Sequence, residues 1–229
     1  MADAGRAQLL RSLGRLARGL SLLFWSLPLS FIVLAQTART DWFGSLGAWA
    51  FAPALVFNGA LLLALAQLRQ FQRQERIWQN ALTRADSLAL INAGLAPFVF
   101  WWRRFPEVSY YAMAVGLLAL SSLLFLMQIN RVAQRLAAMI PDENLRAETA
   151  VFGAFNIWLL TVVFAALTLW FAAWRWPGLA FSVRLWLAAL RGRGLWVILF
   201  LTTVPLALTM ALLWKIKEVV LAGIFDHAG

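Results

Sequence analysis

The chain has 229 residues, of which 62% are hydrophobic and only 13% charged, and its formal net charge is +10. A soluble domain holds roughly 45–50% apolar and about 25% charged residues, so this composition excludes an ordinary water-soluble fold, whose surface could not hide so much apolar area. The chain contains no cysteine, which excludes disulfides and thiolate chemistry.

Residues 1–19 carry Arg6, Arg11, Arg15 and Arg18, with Leu9, Leu13, Leu16 and Leu20 recurring at helical spacing. That pattern predicts an amphipathic cytoplasmic N-terminal segment that either lies on an anionic leaflet or acts as a simple positive-inside signal. The run Leu20–Gln36 follows. It is longer than the 7–15-residue core of a secretory signal, and Ala35-Gln36-Thr37-Ala38 is a poor cleavage site, so an uncleaved anchor is expected.

Four further runs, Leu46–Leu68, Val108–Gln128, Val151–Trp174 and Leu195–Trp214, also lack Asp, Glu, Lys and Arg. About 20 apolar residues suffice to cross a hydrocarbon core of ~30 Å. Backbone groups in lipid must satisfy one another, which leaves helices or closed barrels, and these runs lack the alternation of barrel strands. The fold expected is therefore all-α, a polytopic transmembrane helical bundle spanning residues 20–214 with a short amphipathic tail at 215–229. A sixth candidate, Leu88–Trp102, is short for a span, at about 22 Å as a helix. It reads as a short span, a re-entrant piece or an interfacial helix.

An internal repeat favours six spans. Arg84-Ala85-Asp86-Ser87 leads into an apolar run containing Asn92, and Arg146-Ala147-Glu148-Thr149 leads into one containing Asn156. Gln67-Leu68-Arg69 and Gln128-Ile129-Asn130 close successive runs. Each closing segment continues with apolar residues on one helical face: Phe71, Trp78 and Leu82; Val132, Leu136, Met139 and Ile140; Ile216, Val219, Val220 and Ile224. The expectation is three helical hairpins, each ending in an amphipathic interfacial helix, with both termini cytoplasmic; the alternative is five spans. Pro141-Asp142-Glu143 is expected to turn the chain and cap the helix after it. The stretch Trp176–Gly194, with Arg184 in its middle, is an insertion in the third unit that reads as an interfacial helix.

The charges fall between runs rather than in a groove-reading motif, so topology explains the basic total better than nucleic acid. Many of the 13 Trp residues sit at run ends, as in an aromatic belt. None of the five runs holds a charged residue, the usual mark of an intramembrane mechanism. The single histidine, His227, is close to the C-terminus, and the five Asp residues lie in loops or near the ends. No catalytic residue, metal site or cofactor is expected.

Within the spans, Asn58, Asn92 and Asn156 are the notable polar groups, and they read as interhelical contacts or as a polar lining for a solute path. Pro28, Pro53, Pro97 and Pro205 fall inside runs, where each removes a backbone bond. Phe71, Trp78 and Arg184 are the residues expected to meet lipid or a partner. The resulting expectation is a non-catalytic scaffold or accessory component of a bacterial inner membrane. It would meet anionic headgroups through Arg and have a membrane-protein partner or associate with itself. The alternative is a small channel or carrier for a neutral solute.

Overall fold

A computed structural model describes residues 2–72, 74–175 and 194–228. The described residues form helices and no strands. In chain order these are α1 Ala2–Arg39, a 3-10 turn Gly44–Trp49, α2 Ala52–Arg69, α3 Arg76–Leu95, α4 Pro97–Arg104, α5 Ser109–Met139, α6 Glu143–Arg175 and α7 Gly194–Ala228. The molecule is an all-α bundle. Five helices carry segments long and apolar enough to cross a membrane: Ser12–Arg39, Ala52–Arg69, Ser109–Met139, Glu143–Ala173 and Leu199–Ala222.

Each helix buries one stripe at the 3.6-residue period. In α1 the stripe is Leu16, Leu20, Leu23 and Leu27; in α3 it is Trp78, Leu82, Ala85 and Ala89; in α7 it is Leu206, Leu213, Ile216 and Val220. These stripes meet in one core. The opposite faces stay apolar as well: Val56 and Leu63 on α2, Val151, Trp158 and Leu169 on α6, and Phe200 on α7 are all well exposed. A soluble protein rarely exposes contiguous apolar area of this extent, whereas lipid accepts it.

Helices α3 and α4 form one rod. Ala96 keeps helical dihedrals (φ −54°, ψ −40°) and its N–H reaches Asn92 O at 2.9 Å, so Pro97 costs a backbone bond without ending the helix. The 29 residues from Arg76 to Arg104 span about 44 Å. At one end, Trp78 Nε1–H donates to Phe71 O at 3.0 Å and Arg69 pairs with Asp86; at the other, Arg103 donates to Thr40 O and pairs with Asp41 at 2.7 Å. The rod thus runs between the same two ends of the bundle as its neighbours. Its first half, with Arg76, Arg84 and Asp86, is too polar to read as a span by composition.

Successive helices pack on one another: α1 on α2, α2 on α3, α3/α4 on α5, α5 on α6 and α6 on α7. The first and last helices close the set. The Arg39 guanidinium lies 3.5 Å from the Trp196 ring centroid, and Phe24 and Trp214 rings approach to 5.3 Å. Because Arg39 ends α1 while Trp196 begins α7, the two helices are antiparallel and both chain ends lie at one end of the bundle.

The structure differs from sequence expectation at the amphipathic segments. α1 is unbroken from Ala2, and Leu16 and Leu20 enter the core. Val132 and Leu136 belong to α5, and Ile216 and Val220 to α7, all buried. An apolar stripe long enough to lie on a bilayer is equally long enough to pack on another helix, and here the neighbouring helices claim it.

Candidate functional site

The most concentrated polar arrangement inside the bundle joins α5, α6 and α7. Asn130, Asn156 and Thr209 are each fully enclosed. The Asn156 amide Nδ2 donates to Asn130 Oδ1, Pro205 O and Thr209 Oγ1, each at 3.0 Å. Asn130 Nδ2 donates to Thr209 Oγ1 and Leu126 O at 2.8 Å, and Thr209 Oγ1–H donates to Pro205 O at 2.8 Å.

Local sequence explains the geometry. A residue four positions after another stands one turn above it, so Thr209 reaches the Pro205 carbonyl and Asn130 the Leu126 carbonyl. Pro205 has no N–H, so the Leu201 carbonyl lacks its helical donor and this turn of α7 is already irregular.

The three side chains own five polar hydrogens between them, two on each amide and one on the hydroxyl. All five are directed at acceptors, and acceptors remain. Asn156 Oδ1 is buried without a partner among the described residues. The junction therefore has spare accepting capacity and no spare donor. A group supplying N–H or O–H would fit its chemistry; an anion would not.

The other predicted asparagines sit in different surroundings. The Ser121 hydroxyl donates to Asn92 Oδ1, tying α5 to α3, and both residues are buried. Asn58 is also buried, but its Nδ2 turns back to Ala54 O on its own helix at 2.8 Å. Ser121 and Asn130 are nine residues apart on α5, about 13.5 Å along its axis. The structure thus brings Asn156 together with Asn130 and Thr209, and gives Asn58 and Asn92 partners of their own. Gln128 Nε2 adds a further tie from α5, to Ala81 O at 3.0 Å.

Asn130 and Thr209 were missed from sequence. Asn130 closes an apolar run and reads as part of the loop; Thr209 is one of several threonines. The usable signal is Pro205-x-x-x-Thr209, which places a hydroxyl on a carbonyl at a helix irregularity.

Contrary to the sequence expectation that it faces lipid or a partner, Trp78 is fully buried, with its N–H satisfied by Phe71 O and its ring edge-on to Phe71 at 6.4 Å. The indole closes the α2–α3 turn from inside. Phe71 is half-buried against the same core. Arg184 and the insertion around it lie outside the described residues.

Two ion pairs stand at the end of the bundle that holds the chain termini: Arg69 with Asp86, and Lys215 with Glu148. Partial burial raises the Asp86 carboxyl above its ordinary range, and the Arg69 charge and hydrogen bond only partly offset this. The pair and the shift act in opposite directions; loss of hydration outweighs the guanidinium. Among the described residues, no three His, Asp or Glu side chains gather where a metal could bind.

Compared with known proteins, the chain matches no family model, no curated protein and no solved structure.

Proposed function

We propose that the protein is a non-catalytic scaffold or accessory component of a bacterial inner membrane, multi-pass and with a cytoplasmic N-terminus. One observation carries this reading: Asn92 and Asn156 tie helices together at separate places in the bundle, and Asn58 bonds within its own helix. Asn92 is held by Ser121, and Asn156 by Asn130 and Thr209. A conduit would instead present its polar groups along one continuous lining. Membrane interhelical hydrogen bonds of this kind contribute roughly 0.6–2 kcal/mol each. With the apolar stripes consumed in the core, the ends of the bundle present the charge. Arg76 and Arg84, Arg131 and Arg135, and Lys215 are exposed at the end that holds the termini, where anionic headgroups or a partner would meet them.

The alternative is a channel or carrier for a small neutral solute. It is favoured by Asn156 Oδ1, an unpartnered acceptor beside the proline-broken turn of α7. Solute flux into proteoliposomes, measured across a panel of small polyols and amides, separates the two. The scaffold reading expects uptake equal to protein-free vesicles. Uptake that disappears in both Asn156→Leu and Asn58→Leu overturns it.

A further inference from the structure

At the end of the bundle away from the chain termini, a cleft of about 310 Å³ opens between the end of α1, the 3-10 turn and α4. This size lies at the lower end of small-ligand pockets. One side is cationic, with Arg103 and Arg104 from the last turn of α4; the other is apolar, with Phe43, Ala50 and Phe100.

The two arginines are not equivalent. Arg103 is locked: its guanidinium donates to Thr40 O at the end of α1 and pairs with Asp41 at 2.7 Å. Arg104 is exposed and makes no hydrogen bond or ion pair among the described residues. Asp41 is the one carboxylate lining the cleft, and Arg103 already neutralises it, so Arg104 leaves the cleft one positive charge in excess.

Depth supplies the second argument. The cleft lies in a layer rich in aromatic side chains. Trp42 and Trp49 are well exposed, Trp101 stacks on Phe105 with centroids 6.1 Å apart, and Phe98 meets Tyr110 and Tyr111 edge-on or tilted. Such rings collect at the level of lipid headgroups. A guanidinium is the side chain best matched to a phosphate there, through two parallel N–H bonds. These arginines also stand at the end opposite the cytoplasmic N-terminus, where the positive-inside rule disfavours basic residues, so orientation alone does not account for them.

We propose that this cleft binds the phosphate of an anionic phospholipid, with Arg104 gripping the phosphate, Arg103 holding the cleft open, and Phe43 and Phe100 flanking the start of the acyl chains. The inference rests on the membrane reading but not on the scaffold reading; a carrier would have the same site.

The test uses full-length protein in a neutral detergent, titrated with short-chain phosphatidylglycerol, short-chain phosphatidylcholine or inorganic phosphate. Thermal midpoint and native mass spectrometry are the readouts. Phosphatidylglycerol is expected to bind saturably and raise the midpoint, at least tenfold more tightly than phosphatidylcholine or inorganic phosphate. Arg104→Gln is expected to weaken that binding at least tenfold without lowering the ligand-free midpoint. Arg103→Gln loses the contact to α1 and can fail to fold, so Arg104 carries the decision. Equal binding by Arg104→Gln overturns the site, and phosphatidylcholine within threefold of phosphatidylglycerol overturns the charge argument. Inorganic phosphate binding as tightly as the lipid overturns the lipid assignment.

Discussion

At the scale of single residues, the decisive feature is hydrogen-bond stoichiometry in a place without water. Asn156 directs its amide at three acceptors on two other helices, and its own oxygen goes unmatched. Asn156→Leu removes the one α6 side chain that, among the described residues, hydrogen-bonds to this junction, and leaves Asn130 Oδ1 without that donor. A loss of about 1–2 kcal/mol is expected, read as a lower unfolding midpoint in detergent; an unchanged midpoint would show that the junction contributes no net stability. Asp86 gives a pH signature of known sign. Its carboxyl titrates above the ordinary value of 3.8 in the folded protein. The folded state therefore holds the proton more tightly. Its contribution to stability is fully present below the unfolded value and is lost as pH rises through the folded one. Asp86→Asn should abolish that dependence. Between pH 7 and pH 4 the wild type is expected to gain stability relative to the variant, and parallel curves for the two proteins would remove the claim.

At the scale of elements, close approach is set by small residues. A Cβ on Gly116 would stand 2.6 Å from Phe171 Cζ, at the contact between α5 and α6. On α1, a Cβ on Gly19 would meet Leu68 Cδ2 at 3.1 Å. Gly116→Val is expected to push α6 off α5, with an overpacking cost of roughly 1–3 kcal/mol. Gly19→Ala should cost less, since Leu68 need give only a few tenths of an ångström. Unfolding midpoints of the two variants in one detergent test the order; a larger loss for Gly19→Ala would contradict it. The rod α3/α4 shows the other side of element design. A proline about three-quarters of the way along it is tolerated because it opens α4 at a position where one missing N–H is all that is lost.

At the scale of the whole molecule, the pairing of ends sets how the helices run. Arg39 meeting Trp196 places both ends of the chain at one end of the bundle, and the α3/α4 rod reaches from the Phe71–Trp78 contact to Thr40. If that rod crosses the bilayer with its neighbours, a C-terminal reporter fusion in bacteria will report the cytoplasm, the same side as an N-terminal one. Opposite sides would mean five crossings and a rod that stays within the interface.

The helical bundle was legible in sequence because hydropathy is additive along a chain: runs such as Val151–Trp174 need no partner to reveal that they shun water. The paired motifs ahead of Asn92 and Asn156 fall inside α3 and near the start of α6, and five helices are long and apolar enough to cross a membrane. Sequence also named Asn156, since a buried amide in an apolar run must find a partner. Which partner it finds is a different kind of fact. Asn130 and Thr209 are 26 and 53 residues from Asn156, and only helix packing brings them to 3.0 Å. Tertiary structure likewise decided that Trp78, on the apolar face of a polar helix, turns into the core rather than outward. Periodicity reports that a face is apolar and never what covers it, because neighbouring helices and lipid tails offer that face nearly the same solvent.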